Sequence, residues 1–250
     1  MNPIYESLMN RKSTRVFENK TIEPNLKSHI LEAAFQAPTA GAQMLYSIID
    51  VTDSSIKEKL AVTCDNQSFI AKAPMVLIFL ADCRRWLDTY KYAGLNPRLP
   101  GVGDLFLAIQ DAVIAAQNAV VAAESFGIGS CYIGDILENA EIHKDLLNLD
   151  PYVVPISMLV FGYPTEQQKD RQKPARFDRK YLVHENQYKR LNEAEHKKML
   201  IERAQNPTFE YNTYIEKFCT RKYMSDFSLE MSRSSELYIE NFMTQNKKMR

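Results

Sequence analysis

The densest chemistry in this chain lies in five consecutive residues, Arg11-Lys12-Ser13-Thr14-Arg15. An arginine offers a planar fork of N–H donors that matches phosphate oxygens; lysine adds a point charge and serine a neutral donor. If the run is extended, residues 11, 13 and 15 share one side. That side reads Arg, Ser, Arg, the donor set of a phosphate clamp. A short basic run taken alone is as readily a solvated turn, and the alternation is what favours the clamp.

Three further segments carry chemistry. Lys169, Arg171, Lys173, Arg176, Arg179 and Lys180 cluster around Pro174. They read equally as an exposed loop or as a second wall for the same phosphate. Pro38-Thr39-Ala40-Gly41-Ala42-Gln43 places small residues between a helix and a strand. A flat ring can lie on such backbone, with Thr39 and Gln43 as donors, although a plain helix-stop loop has the same composition. Gly127-Ile128-Gly129-Ser130-Cys131-Tyr132-Ile133-Gly134 lacks the dinucleotide-binding G-x-G-x-x-G spacing and follows a helix rather than a strand. It reads better as a strand end whose backbone N–H groups face a cofactor.

Other chemistries are disfavoured. His29, His143, His184 and His196 are scattered, and Cys64, Cys83, Cys131 and Cys219 form no C-x-x-C pair. With no nucleophile–base pair and no metal spacing, no catalytic side chain and no metal is assigned. A cofactor that carries the chemistry fits this pattern. Thirty-one basic residues balance thirty-one acidic ones in 250, which argues against a nucleic-acid or membrane-surface partner. The N-terminal residues lack a secretory pattern. The apolar stretch Leu105–Phe126 holds Gln110, Asp111, Gln117, Asn118 and Glu124, which disfavours a membrane span. A cytoplasmic protein is expected.

The elements that must position these residues follow from periodicity. Ile4 and Leu8 mark a short helix, and Pro24 opens another that Pro38 and Gly41 stop. Tyr46–Val51 reads as a strand and Ser54–Val62 as a helix. Met75–Ala81 and Pro155–Phe161 are continuous apolar runs, expected as strands buried on both faces. Arg84–Gly103 reads as an irregular surface segment or lid. Leu105–Phe126 is a long alanine-rich helix, apolar over most of its circumference and therefore in a core or a subunit interface. Ser130–Gly134 is a short strand, Glu138–Leu147 a helix, and Thr165–Arg179 a loop. From Asn192 the chain is helical but poor in aliphatic residues. An α+β fold is expected, a sandwich of helices around a central mixed, mainly antiparallel sheet.

These residues resemble FMN-dependent nitroreductases. Arg11-Lys12-Ser13-Thr14-Arg15-Val16-Phe17 is similar to that family's R-x-S-x-R-x-F opening. Ala37-Pro38-Thr39-Ala40-Gly41 occupies the place of its small-residue flavin loop. Ala122–Gly129 followed by Tyr132-Ile133-Gly134 resembles its helix-to-strand flavin segment. Phe161-Gly162-Tyr163-Pro164, Lys173-Pro174-Ala175-Arg176 and Val183-His184-Glu185-Asn186 resemble the NADPH-type flavin reductase and oxygen-insensitive nitroreductase branch.

The resemblance implies a homodimer with FMN at the subunit interface and ping-pong hydride transfer from NADPH or NADH to a nitroaromatic, a quinone or free flavin. It implies that Arg11, Lys12, Ser13, Arg15, Lys173 and Arg176 hold the phosphate side. Pro38, Thr39, Ala40, Gly41 and Gln43 would lie along the ring. Gln67, Tyr132, Ile133 and Gly134 would face the flavin as well. It implies an FMN-binding core over residues 1–190 and a helical extension over 191–250, packed on the core or the partner subunit. Asp135 stands where many relatives carry glycine. Two alternatives stay open: a non-catalytic flavin-binding or flavin-sensing protein, and a flavin-fragmenting or dehalogenating member of the superfamily.

Overall fold

A computed structural model describes residues 2–243. Four strands form one sheet in the order β1 (Tyr46–Asp50), β2 (Met75–Asp82), β4 (Val153–Gly162) and β3 (Gly129–Ile133). All three neighbouring pairs are antiparallel. A parallel contribution comes from an isolated bridge between Ser13 and Ser130. β2 is buried along its whole length, which explains its unbroken apolar run: both faces are covered by other elements.

The helices preceding and following the inner strands are α1 (Pro3–Asn10), α2 (Pro24–Phe35), α3 (Ser54–Thr63), α4 (Phe69–Lys72), α5 (Arg84–Tyr92), α6 (Val102–Ser125), α7 (Ala140–Leu146) and α8 (Glu166–Asp170). α9 (Glu193–Ala204), α10 (Tyr211–Lys222) and α11 (Asp226–Met243) follow. The chain divides into two compact units. One runs to Arg171 and resumes at Glu230; the other is Gln172–Leu229. The α+β architecture is the one expected from sequence.

α6 is the organising helix of the first unit. Ala108, Ala112, Ala115, Ala116, Ala119 and Ala123 are all fully buried. Their small side chains let α2 and the sheet approach closely, and Asn118 Nδ2 donates to Ala33 O of α2 at 3.2 Å. The other side of α6 exposes Phe106, Leu107, Val113 and Ile114. A seven-residue step returns nearly to the same helical face, so these four form one apolar stripe. By length and composition α6 could cross a bilayer, but its alanine face is packed inside the fold.

The opposite face of the sheet buries Leu60, Ile70, Val76, Ile78, Ile133, Ile136 and Met158. A third cluster takes Tyr238 and Phe242 from α11. α11 also supplies what α7 lacks at its start. The Asn139 N–H donates to Glu230 Oε1 and the Ala140 N–H to Ser234 Oγ, both at 3.0 Å. Free N–H groups at a helix start need such partners.

Two expectations are corrected. Arg84–Gly103 is not wholly irregular, because α5 occupies its first half. Asp82 Oδ1 accepts from the N–H groups of Arg84 and Arg85 (3.0 and 3.1 Å) and so caps the helix. Arg84 and Asp88 pair one turn apart at 2.7 Å. The Pro and Gly signals govern only the part after Tyr92. Within Thr165–Arg179, α8 forms a short helix. Thr165 O accepts from Gln168 N and Lys169 N (2.9 and 3.0 Å), and Lys169 pairs with Glu166 at 2.5 Å. Residues 244–250 of the expected extension lie outside the described residues.

Candidate functional site

The basic run leaves α1 in extended form and lies along the ends of β3 and β4. Thr14 N–H donates to Ser130 O at 2.9 Å and Glu18 N–H to Tyr163 O at 2.8 Å. Two glycines make this docking possible. A Cβ on Gly129 would stand 2.8 Å from Thr14 Cβ, and one on Gly162 would stand 2.6 Å from Phe17 Cδ1 and 2.8 Å from Pro74 Cδ. Thr14 is therefore buried beneath the run while its neighbours face outward.

Arg11, Ser13 and Arg15 are brought together around β3. Arg11 Nη2 donates to Ser130 Oγ at 3.4 Å, and its guanidinium sits 5.7 Å from the Tyr132 ring centre. Burial pushes the Cys131 thiol up, against a downward pull from Arg15, Ser13 and Arg11. All three groups thus converge on one strand. Burial also raises the Tyr132 hydroxyl to about 12, with Arg11 opposing; that hydroxyl donates to Gln117 Oε1 at 3.1 Å. Arg11 Nε is buried and has no partner among the described residues. A buried guanidinium N–H left unpaired is costly, and an anionic acceptor would satisfy it.

Lys12 points elsewhere. Its ammonium donates to Lys169 O and to Arg171 O, the latter at 2.5 Å. Arg171 Nη2 donates back to Ser13 O at 2.6 Å, and Gln168 Oε1 accepts from Arg15 N–H at 3.1 Å. The 165–171 stretch is thus a brace that holds the run against the sheet. Gln168 carried no signal in the sequence, because these bonds span about 150 residues. Lys173 and Arg176 belong to the second unit, where Arg176 Nη1 donates to Pro174 O at 2.8 Å.

Pro38–Gln43 lies before β1, at the opposite edge of the sheet from β3. Its tight turn, Ala40–Ala42, puts Gly41 at φ 55° and Ala42 at φ 56°. The turn is anchored by Asp111 of α6, which is 2% exposed. Asp111 Oδ1 accepts from Ala40 N–H at 2.9 Å and Oδ2 from Leu45 N–H at 3.0 Å. Thr39 Oγ1 accepts from Met44 N–H at 3.2 Å, and Trp86 Nε1 donates to Gln43 O at 2.8 Å. Asp111 was visible only as an acid in an alanine stripe. Such an acid must meet donors inside the fold. Gln43, Trp86, Tyr90 and Leu107 help line a cavity of about 210 Å³.

Gln67 follows two left-handed residues, Asp65 (φ 59°) and Asn66 (φ 52°), and its Nε2 donates to Cys64 O at 2.9 Å. This turn faces the connection after β3: Asn139 Nδ2 donates to Thr63 O at 2.8 Å. Ile133 is buried, whereas Gly134 is exposed. A Cβ on Gly134 would meet nothing within 4 Å. Its lack of a side chain therefore serves no contact within the chain.

Comparison with known proteins identifies the family. The Nitroreductase family model matches residues 8–163. A CR(VI) reductase from Pseudomonas sp. (strain G-1) is 30% identical over 247 residues, 96% of each chain. An oxygen-insensitive NADPH nitroreductase from Salmonella typhimurium is 34% identical over 194 residues, 77% of this chain and 78% of that one. The structure of NADPH:FMN oxidoreductase from Vibrio harveyi, complexed with NAD+, superposes with a TM-score of 0.72 at 25% identity, covering 94% of this chain and 92% of that one. The matched span takes in the basic run, the small-residue loop and strand β3: the chain belongs to the nitroreductase family.

Proposed function

We propose that this protein is an FMN-dependent NAD(P)H oxidoreductase that reduces nitroaromatics, quinones or free flavin by a ping-pong mechanism. The observation that carries the reading is the pairing of an unsatisfied Arg11 Nε with Ser13 and Arg15 beside β3, next to the open space over Gly134. A dianionic phosphate meets the first, and a flat ring fits the second. The group fits the residues present. Bound there, FMN would supply hydride transfer.

The chain's own part is to bind and orient. Arg11, Ser13 and Arg15 hold the phosphate, while Lys12 keeps the run in place through its carbonyl contacts. Backbone at 132–134 backs the ring. Donor and acceptor use the open space over Gly134 in turn.

Two relatives carry the matching activities in their names, NADPH nitroreductase and NADPH:FMN oxidoreductase. Arg15→Ala should weaken FMN retention about 10- to 100-fold, the worth of a charge-assisted hydrogen bond. Fluorescence titration reads this, and unchanged retention places the phosphate elsewhere. The same titration on Lys173→Ala and Arg176→Ala tests those two. Anaerobic stopped-flow reduction separates the enzyme from a flavin sensor: a bound flavin that neither NADPH nor NADH bleaches rules the enzyme out.

The homodimer is part of this proposal. The Pro38–Gln43 loop and the basic run sit at opposite edges of one sheet, so a single ring between them calls for two copies of the chain. The α6 stripe of Phe106, Leu107, Val113 and Ile114 is an apolar surface suited to a second copy. Ile114→Asp should turn dimer into monomer in analytical ultracentrifugation and release flavin together with the partner. A dimer that survives it, still yellow, speaks against α6 as the interface.

A further inference from the structure

Glu138 differs from the other buried acids of the fold. Asp111 receives two backbone N–H groups, and Asp82 receives two more together with the Ser47 hydroxyl. Glu138 is 6% exposed, yet its Oε1 has no hydrogen-bond partner among the described residues.

The groups around it are acidic or neutral. Asp135 lies one short turn earlier, where Glu138 N–H donates to Asp135 O at 3.0 Å. Asp65 faces it from the turn between α3 and α4, and Glu230 from α11. Arg233, the cation on α11, is engaged with Glu230 and Glu141 at 2.7–3.0 Å. His143 of α7 is buried and held low by that burial, with its ring against Ile136 O and Thr63 Oγ1. The Cys64 thiol is pushed up by burial, then by Asp135 and Glu138. A buried carboxylate with an unpaired oxygen among like charges favours its neutral form. Burial, then Asp135, Asp65 and Glu230, push Glu138 up to about 7.

This place adjoins the cofactor space. Asp135 directly follows Gly134, whose missing side chain leaves open room. We propose that Glu138, buried beside Asp135 next to the flavin, is the positioning residue that takes up a proton when the flavin gains electrons. The inference rests on the flavin reading above.

The balance is simple. Two electrons come from the nicotinamide donor. The extra proton comes from water and lands on the Glu138 carboxylate. When Glu138 is neutral, it adds no charge beside the ring. As pH rises through neutrality Glu138 ionises, and its charge disfavours added electrons. By reciprocity, added electrons raise the affinity of Glu138 for its proton.

The test measures the midpoint potential of the FMN-loaded protein by spectroelectrochemistry from about pH 5.5 to 8.5. The parent potential should fall more steeply than that of Glu138→Gln between about pH 6 and 8, and the two should coincide at the acid end. Asp135→Asn should keep the break but move it to lower pH, since losing the neighbouring charge eases ionisation of Glu138. If Glu138→Gln fails to fold, Asp135→Asn decides the matter. Parallel lines for parent and variant overturn the proposal. Infrared spectra of the FMN-free protein give a second readout: a protonated-carboxyl band that titrates near neutrality and is lost in Glu138→Gln. Absence of that band in the parent overturns the proton on Glu138 whatever the flavin does. A parent that takes up no FMN overturns the flavin reading as well, whereas FMN binding with parallel lines overturns this inference alone.

Discussion

Replacing Asp111 with alanine is expected to lower the melting temperature by roughly 5–15 °C, from the loss of about 2–5 kcal/mol in a chain of this size. The cause lies in its two acceptor oxygens. Ala40 N–H and Leu45 N–H both end on this carboxylate, inside the fold. With alanine, two buried donors lose their partner, and water has little access to replace it. The Ala40–Ala42 turn also loses the anchor that holds its left-handed residues, Gly41 and Ala42. Asp111→Asn retains one acceptor oxygen and should show about half the loss. Calorimetry of both variants checks this. A parent-like melt for Asp111→Ala would mean that Thr39 and Trp86 hold the loop without it.

The second large effect sets two glycines against each other. Gly162→Ala should destabilise the fold by about 2–4 kcal/mol, because the new methyl group meets the Phe17 ring and the Pro74 ring, neither of which can retreat far. It should also loosen the run that carries Arg15, so flavin retention falls along with stability. Gly134→Ala should leave the unfolding midpoint within about 0.5 kcal/mol of the parent, the usual range for an uncrowded surface site. It should nevertheless cost FMN affinity tenfold or more, since the methyl would occupy ring space. Urea denaturation of the FMN-free proteins and fluorescence titration separate the two. Equal stability losses in both variants would refute the assignment of Gly134 to the cofactor.

Much of this arrangement was legible from local pattern. The unbroken apolar runs of β2 and β4 marked buried strands, and the alanines of α6 marked a helix in close contact. The alternation in Arg11–Arg15 put Arg11, Ser13 and Arg15 on one side, and the three come together around β3. Other features left no local trace. Lys12 looked like a phosphate ligand, but its ammonium finds the carbonyls of Lys169 and Arg171. That choice depends on where residues 165–171 come to lie. α5 was obscured by the Pro and Gly residues after it, although Asp82 and the Arg84–Asp88 pair supply its start. Glu138 gave no signal, because its burial depends on three other segments arriving around it.

The docking of the basic run on β3 also bears on how the protein comes to bind its cofactor in the cell. Arg11 and Ser130, which meet in the folded chain, are 119 residues apart, and Lys12 and Arg171 are 159 apart. At translation speeds of about 5–20 residues per second, the run is synthesised roughly 8–32 s before its last brace. During that interval its cations are tethered but not arrayed. Flavin loading therefore waits until residue 171 has been made, and nascent chains stalled before it should emerge without the cofactor.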